Sequence, residues 1–221
     1  MRASGESERP APGETFNHGP PTPPRQAASV ILLRDGPDGG SGAAGARRQL
    51  EVLLVKRTPK ARFMGGVWVF PGGAVDAQEG EGDAAHRVAA VRELSEEAAI
   101  TLDSPDELVK FSRWITPAEV QIRFDTHFFL AVLAAGQEPR IDGEECVDLG
   151  WFTPAGALDA HRDGEIMLVF PTIKHLEQLG AFSSVESLMS YARGRDVQPV
   201  QPRVLVEGEV ARIVLPGEPG Y

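Results

Sequence analysis

Three glutamates, Glu93, Glu96 and Glu97, lie close enough in sequence to act on one metal ion. They follow Arg92 at the end of a stretch, Asp83 to Ala98, whose apolar residues recur every three or four positions and predict a helix. Side chains three and four positions apart are neighbours on a helix surface, so the three carboxylates are expected to converge. Like charges repel, and Mg²⁺ takes oxygen ligands together with waters and substrate phosphates. The pattern therefore predicts a site for Mg²⁺ or Mn²⁺.

The rest of the predicted helix supplies a start and a packing side. Asp83 is suited to cap its first turn, and Val88, Val91, Leu94 and Ala98 form one apolar side. Taken by itself, a Glu-x-x-Glu-Glu segment is more often a solvated acidic surface than a metal site. The residues that precede the helix favour the metal site.

A sharp turn, Phe70-Pro71-Gly72-Gly73, ends the strand predicted for Val67 to Phe70. Pro71 fixes one backbone torsion, whereas Gly72 and Gly73 tolerate positive φ or a close approach of the chain to a ligand. A strand, a turn and an acidic helix in this order are suited to binding phosphate and metal together. Gly72 and Gly73 are accordingly predicted to contact the substrate.

This combination resembles the Nudix hydrolases. Their signature reads Gly, five residues, Glu, seven residues, Arg-Glu, an apolar residue, any residue, Glu-Glu, any residue, Gly, and an apolar residue. The resemblance implies that Glu93, Glu96 and Glu97 bind the metal and that Arg92 orients the first of them. It also implies that Gly73 opens the signature.

The chain departs from the signature at two places. Nineteen positions separate Gly73 from Arg92 where the family has fourteen, so Ala84 stands where counting back from Arg92 places the first Glu. Glu81 and Asp83 are candidate substitutes. The second departure is Ala99 in place of Gly, which would cost about 1 kcal/mol if that position needs positive φ.

Segments on both sides of the signature resemble coenzyme A diphosphatases, closest to the peroxisomal-type branch. That branch is similar in carrying a lengthened loop within the signature. The resemblance implies coenzyme A or an acyl derivative as substrate, cleaved to a 4′-phosphopantetheine product and 3′,5′-ADP. The segments are Leu53-Leu54, Arg57, Arg62, Phe63-Met64, Gly66, Trp114 to Pro117, and Arg123 to Phe129.

Two further sets of charged residues are candidates for the site. Arg57 and Arg62 either grip a substrate phosphate, as arginine does in phosphate sites, or belong to a basic surface loop. Several Nudix enzymes resemble one another in taking a further glutamate, sometimes the general base, from a loop after the signature. Glu144 or Glu145 could serve here, and the alternative is a pair of solvated turn residues. His127, in an apolar strand, is interpreted as a core histidine.

The resemblance leaves alternatives in substrate and in activity. ADP-ribose, NADH or a dinucleoside polyphosphate could replace coenzyme A as the nucleoside diphosphate derivative that binds. A non-catalytic domain that senses a nucleotide is the alternative from another class. Retention of Arg92 and of all three glutamates favours an enzyme, because a binding module has little need of mutually repelling carboxylates.

Composition limits the kinds of partner and the cellular compartment that we expect for this chain. A net charge of −10 over 221 residues gives no general attraction to nucleic acid or to an anionic membrane. The single cysteine, Cys146, excludes an intramolecular disulfide and is interpreted as a buried structural thiol. With no apolar run of membrane length, no secretory signal and no Ser-Lys-Leu ending, a cytoplasmic protein is expected. Its oligomeric state stays open, a homodimer being one alternative.

The order of elements predicts an α/β protein. Residues 1–26, rich in proline and glycine, are expected to be a disordered tail, and residues 27–221 a Nudix domain. A hairpin of strands, 27–33 and 51–56, precedes the signature, further strands follow it, and a helical extension begins at about residue 155. The resemblance implies an α/β/α sandwich around a mixed β-sheet, with additional C-terminal helices.

Overall fold

The structure, a computed structural model, describes residues 15–17, 19–36, 49–61, 64–207 and 210–221, without the side chains of residues 207 and 210. The helices are α1 (Gly82–Ala98), α2 (Pro154–Arg162), α3 (Phe170–Leu179) and α4 (Val185–Arg193). The strands are β1 (Arg25–Asp35), β2 (Leu50–Arg57), β3 (Trp68–Val69), β4 (Gly72–Ala74), β5 (Val109–Ile115), β6 (Phe124–Val132), β7 (Cys146–Phe152), β8 (Pro199–Val200), β9 (Arg203–Glu207) and β10 (Val210–Val214).

A mixed β-sheet forms the centre of the fold. Along it the strands follow the order β3-β2-β1-β6-β5-β8, while β4 pairs with β1 and β7 pairs with β2. The predicted hairpin is confirmed, because β1 and β2 are antiparallel, with Leu33 opposite Val52. On its other side β1 runs parallel to β6. Strands β9 and β10 form a separate antiparallel pair.

Helices cover both faces of this sheet, which confirms the predicted α/β/α sandwich. Successive side chains of a strand point to opposite faces, so each strand feeds two cores. Val30 of β1 packs in one core with Leu94 of α1. Ile31, the next residue, packs in the other core with Leu176 of α3 and Leu188 of α4.

Helix α1 lies against the sheet through small residues. Ala85, Ala89 and Ala90 are buried there, together with Leu94. The predicted apolar side of α1 includes Val88, which is 43% exposed in the structure, so that part of the prediction is wrong. The alanines are short enough to let α1 approach β1 and β4 closely, which places its glutamates within reach of the strand-end glycines.

The start of α1 also differs from the prediction. The helix begins at Gly82, and its N-cap residue is Glu81, which makes no side-chain capping hydrogen bond. Asp83, the predicted cap, accepts hydrogen bonds from Lys110 Nζ at 2.7 Å and from Arg87 Nε at 2.9 Å. Those two cations hold the pKa of the Asp83 carboxyl at about 2 despite its partial burial, which acts in the opposite direction.

Part of the segment predicted to be a disordered tail is ordered in the structure. Strand β1 already begins at Arg25, and Phe16 forms an isolated β-bridge with Val120. The Asn17 amide donates to the Glu119 carbonyl at 2.7 Å, so main-chain pairing orders this segment. Residues 1–14 lie outside the described residues, as do most of the glycine-rich loop over 35–46 and Gly208.

The C-terminal part adds helices, as predicted, and the antiparallel pair β9–β10. Pro171 stands in the first turn of α3, and Ser184 caps α4 through its side chain. Among the described residues, no helix combines the length and the apolar character needed to cross a membrane.

Candidate active site

The glycine turn brings the main chain against the glutamates of α1. A Cβ atom on Gly73 would overlap the Glu93 carboxylate, and one on Gly72 would lie 2.5 Å from the Ala28 carbonyl oxygen. Both glycines form part of β4, and neither has positive φ. Close approach, rather than an unusual backbone torsion, is therefore the reason for glycine at these two positions.

Glu93 and Glu97 lie on the sheet-facing side of α1, one turn apart. Their exposed fractions are 8% and 2%. Burial raises the pKa of Glu97 to about 7, although the Gly72 amide donates to its Oε2 at 2.8 Å, and the nearby Glu93 charge adds to the rise. Burial likewise raises the pKa of Glu93. Two carboxylates held in this way favour a cation between or beside them.

Arg92 binds several carboxylates at the edge of the site. Its guanidinium donates to Glu79 at 2.9 Å, to Glu93 at 2.8 Å and to Glu96 at 2.9 Å. These partners, Glu79 first among them, raise the pKa of Arg92 above its usual value. The side chain of Glu96 is 59% exposed and points to Arg92, so the structure brings together Glu93 and Glu97 and leaves Glu96 at the rim.

Glu79 is the site residue that the sequence interpretation missed. It follows Gly73 by six positions, which is the spacing of the first Glu in the signature when one counts forward from the glycine. Counting back from Arg92 led instead to Ala84, because the five additional residues lie between Glu79 and Arg92. Neither Glu81 nor Asp83 therefore takes this place. Glu79 also accepts the Asp76 amide at 2.7 Å, in a 3-10 turn over Ala77–Glu79.

Arg57, at the end of β2, lies beside the buried carboxylates. Its Nη1 is 4.0 Å from Glu97 Oε1. Its Nε is buried and has no hydrogen-bond partner within the described part of the chain. Because Arg57 lines the cleft described below, its guanidinium can bind an anionic ligand group. Arg62, the second predicted phosphate ligand, lies outside the described residues.

The acidic turn before β7 places its two glutamates differently. Glu145 lines the cleft described below, and its charge helps to raise the pKa of Glu93. Its carbonyl accepts the Thr58 amide at 2.8 Å, which ties this turn to the segment after Arg57. Both glutamates are exposed, but the described cleft wall does not include Glu144. Of the two candidates, Glu145 is the one that lines the cleft and acts on the charge of Glu93.

The carboxylates suit a hard divalent cation. Within the ranges that the structure describes, no three metal-binding side chains are already gathered around one point. Mg²⁺ commonly binds one or two protein carboxylates and completes its shell with water and substrate phosphate. The buried pair, Glu93 and Glu97, with Glu96 one turn away on the rim, fits that requirement.

A large cleft opens from this site across the sheet. Its volume is about 1180 Å³, above the range of about 300–1,000 Å³ that is usual for small-ligand pockets. Arg57, Gly73, Glu93 and Glu145 line one end. The wall continues over β1, β6 and β5 and is predominantly apolar at the far end. An extended ligand with one anionic part and one apolar part would match it.

Cys146 lies behind the site. Its thiol is buried, as predicted, and it hydrogen-bonds with the Glu97 carboxylate. Burial and the adjacent Glu97 charge raise the pKa of this thiol, which keeps it protonated. The neutral Cys146 thiol therefore donates its hydrogen bond to the Glu97 carboxylate and helps to hold it in place.

Comparison with known proteins agrees with this geometry. Residues 23–169 match the family model described as the NUDIX domain. A Caenorhabditis elegans protein named as nudix hydrolase 7 is 27% identical over 215 residues, covering 81% of this chain and 68% of its own length. The human acyl-coenzyme A diphosphatase NUDT19 is 29% identical over 119 residues, covering 52% of this chain, and the match spans only 32% of the human protein.

A solved structure extends the comparison to three dimensions. The NUDIX hydrolase from Alicyclobacillus acidocaldarius superposes with a TM-score of 0.64 at 30% sequence identity. The match covers 76% of this chain and 96% of that one. With the family model matching well over half of its length, the chain belongs to the Nudix hydrolases, enzymes of the diphosphate-cleaving kind.

Proposed function

We propose that the chain hydrolyses the diphosphate bond of coenzyme A or of an acyl-coenzyme A, with Mg²⁺ or Mn²⁺ as cofactor. The observation that carries this proposal is the buried carboxylate pair, Glu93 and Glu97, at one end of a cleft large enough for an extended ligand. The coenzyme A motifs around Arg57 and Trp114, and the name of the human relative, support the choice of substrate.

The metal would be held by Glu93 and Glu97, with Glu96 as a third carboxylate from the rim. A bound divalent ion polarises a phosphoryl oxygen and lowers the pKa of a bound water. Arg92 acts as a positioning residue, because it fixes the Glu93 carboxylate through a 2.8 Å hydrogen bond. Gly72 fixes Glu97 in the same way through its amide.

The remaining residues act on the substrate and the proton. Arg57 offsets charge on the phosphate that is not attacked. Glu145, with Glu144 as the alternative, accepts the proton of the attacking water. The water oxygen bonds to one phosphorus while the bond from that phosphorus to the bridging oxygen breaks. The electron pair of the broken bond stays on the bridging oxygen, which leaves with the other phosphate. Free coenzyme A would give 4′-phosphopantetheine and 3′,5′-ADP.

A substrate panel tests the proposal. Coenzyme A, octanoyl-coenzyme A, ADP-ribose, NADH and a dinucleoside polyphosphate are incubated with Mg²⁺ or Mn²⁺, and the products are identified by mass spectrometry. We expect phosphopantetheine products and 3′,5′-ADP at the highest kcat/KM. Faster cleavage of ADP-ribose, NADH or the dinucleoside polyphosphate would refute the substrate assignment. A nucleotide-induced rise in Tm without metal-dependent product would identify a sensing domain instead.

A substitution pair tests the carboxylate site. Glu97→Gln should reduce turnover by at least about a hundredfold, the scale on which enzymes lose a catalytic proton or charge role. Glu186→Gln, a matched change at an exposed helical position in α4, should leave turnover unchanged. Wild-type turnover by Glu97→Gln would exclude Glu97 from the metal site.

A further inference from the structure

The start of α3 forms part of the cleft wall and has no side-chain cap. Its N-cap residue, Val169, makes no capping hydrogen bond through its side chain, and no acidic residue stands in the first turn. The cleft wall includes Val169, Phe170, Pro171, Thr172 and Ile173. The positive end of the helix dipole therefore lies at a surface that a ligand can reach.

Two main-chain amides at this helix start lack acceptors. The Ile173 amide donates to the Val169 carbonyl at 3.0 Å, and Pro171 has no N–H group. The Phe170 and Thr172 amides have no hydrogen-bond acceptor among the residues that the structure describes. Free amides at a helix N-terminus point towards the ligand position and favour an anion, such as a phosphate group.

The Thr172 side chain is an independent indication of a ligand. Thr172 is 3% exposed and lines the cleft, yet its hydroxyl makes no hydrogen bond to any other residue of the described ranges. Buried hydroxyls are in most cases paired. The described side-chain atoms that are both enclosed and unpaired belong to Arg57, His127 and His175, so the Thr172 hydroxyl is open to the cleft.

A histidine lies next to the same helix start. His161 lines the cleft, and its Nδ1 is 3.3 Å from the amide nitrogen of Leu168, two residues before α3. When Nδ1 accepts that amide, the ring proton is on Nε2, which has no partner in the described part of the chain and can donate to a ligand. Glu177, an acidic residue of the cleft wall on α3, is paired with Lys174 Nζ at 2.9 Å.

The core beneath the helix start holds it in place. His175 Nε2, in the second turn of α3, is 2.6 Å from the Ser112 hydroxyl, and its ring centroid is 4.3 Å from that of Phe128. Leu168 forms a β-bridge with Trp68 of β3, the strand that leads into the glycine turn. Donors fixed in this way lose little conformational freedom when an anion binds.

We infer that the start of α3 binds a phosphate group other than the diphosphate that is cleaved. We define this helix-start site by the Phe170 and Thr172 amides, the Thr172 hydroxyl and His161 Nε2. The inference rests on the proposed function where the phosphate belongs to the substrate, and it then adds a phosphate monoester as a second recognised group. Free inorganic phosphate is the other source of the same chemistry.

Ligand pairs that differ by one phosphate monoester test this inference. Isothermal titration in EDTA compares coenzyme A with 3′-dephospho-coenzyme A, and NADPH with NADH. In at least one pair we expect the monoester to improve Kd at least about tenfold, the scale of a charged hydrogen bond. Thr172→Val, nearly equal in shape, should reduce that ratio at least about fivefold. Thr101→Val is the matched control, because Thr101 is exposed, lies outside the described cleft wall and should keep the wild-type ratio.

A second substitution separates loss of binding from misfolding. Pro171→Glu puts a carboxylate in the first turn of α3, where it suits the helix dipole and repels a phosphate group. We expect this variant to lose the preference for the monoester without a fall in Tm, whereas Pro171→Ala should retain the preference. Inorganic phosphate is tested alone. A phosphate-dependent rise in Tm that both Thr172→Val and Pro171→Glu lose would support the site with free phosphate as its ligand.

The inference can fail in two ways. Equal affinities within both ligand pairs, together with no Thr172-dependent effect of inorganic phosphate on Tm, would overturn it. A monoester preference that Thr172→Val and Pro171→Glu both leave intact would also overturn it, because the phosphate would then bind elsewhere. Turnover with Mg²⁺ reports the proposed function separately. Absence of cleavage with a Thr172-dependent preference would reject the diphosphatase activity and keep the helix-start site.

Discussion

Replacing Glu79 by Gln tests how the lengthened signature is organised. The side chain of Glu79 is 6% exposed and accepts both Arg92 Nε at 2.9 Å and the Asp76 amide at 2.7 Å. A glutamine amide keeps one acceptor oxygen and turns an N–H group towards the second donor. Losing the charge and one hydrogen bond should lower the free energy of unfolding by about 2 kcal/mol, within the usual range for charged hydrogen bonds.

The effect on catalysis should be smaller than loss of a metal ligand. Arg92 would still be held by Glu93, Glu96 and the Ala74 carbonyl, but less rigidly. We expect kcat/KM to fall about tenfold, which corresponds to about 1.4 kcal/mol of transition-state stabilisation. The Mg²⁺ concentration needed for half-maximal activity should rise at the same time, because Arg92 positions Glu93.

The matched control is Glu81→Gln, two residues further along. Glu81 is exposed and makes no side-chain capping hydrogen bond, so this change should alter activity less than twofold, about 0.4 kcal/mol. Steady-state kinetics and urea unfolding of both variants supply the readouts. Equal losses in Glu79→Gln and Glu81→Gln, or none in either, would refute the assignment of Glu79 as the first Glu of the signature.

Three further predictions concern the backbone and pH. Ala99 has φ 53°, a conformation that glycine adopts more easily than alanine, so Ala99→Gly should raise the free energy of unfolding by about 0.5–1 kcal/mol in a thermal unfolding assay. The control is Ala84→Gly, at an exposed helical site, which should lower the free energy of unfolding by a similar amount in the same assay. Gly73→Ala should reduce turnover at least tenfold, about 1.4 kcal/mol, by displacing the Glu93 carboxylate, and an unchanged crystal structure and rate would contradict that. Burial lowers the pKa of His127 to about 4, so from pH 6.5 downwards the unfolded chain takes up a proton that the folded chain does not. Between pH 7 and 5 the wild type should therefore lose about 2 kcal/mol more of its free energy of unfolding than His127→Phe, as measured by urea unfolding. Parallel pH profiles of the two proteins would contradict this.

Local patterns in the sequence were sufficient for the central hairpin, α1 and the three C-terminal helices. Each has a periodic apolar pattern bounded by turn residues. The possible need for positive φ at Ala99 was also raised from sequence, and the structure has that torsion. The buried side of α1 was predicted less well, because apolar periodicity favours large residues and the helix packs through Ala85 and Ala89.

Features that depend on distant parts of the chain were harder to predict. The sequence does not show on which side of the first Glu of the signature the five additional residues are inserted. Counting back from Arg92 assumes that they precede it, and Glu79 is then not recognised as that residue. The division between buried Glu93 and Glu97 and exposed Glu96 depends on where β4 meets α1. The ordered segment at Phe16 needed a partner more than a hundred residues away, Val120, which no local pattern reveals.

The parallel pairing of β1 with β6 has a consequence for biosynthesis. Val30 and its partner Phe129 are 99 residues apart, and the hairpin with β2 can form long before β6 has been synthesised. Until then, one edge of β1 presents unpaired amides and carbonyls that can pair with other chains. We therefore expect this edge of β1 to be open to pairing with other chains until β6 has been synthesised.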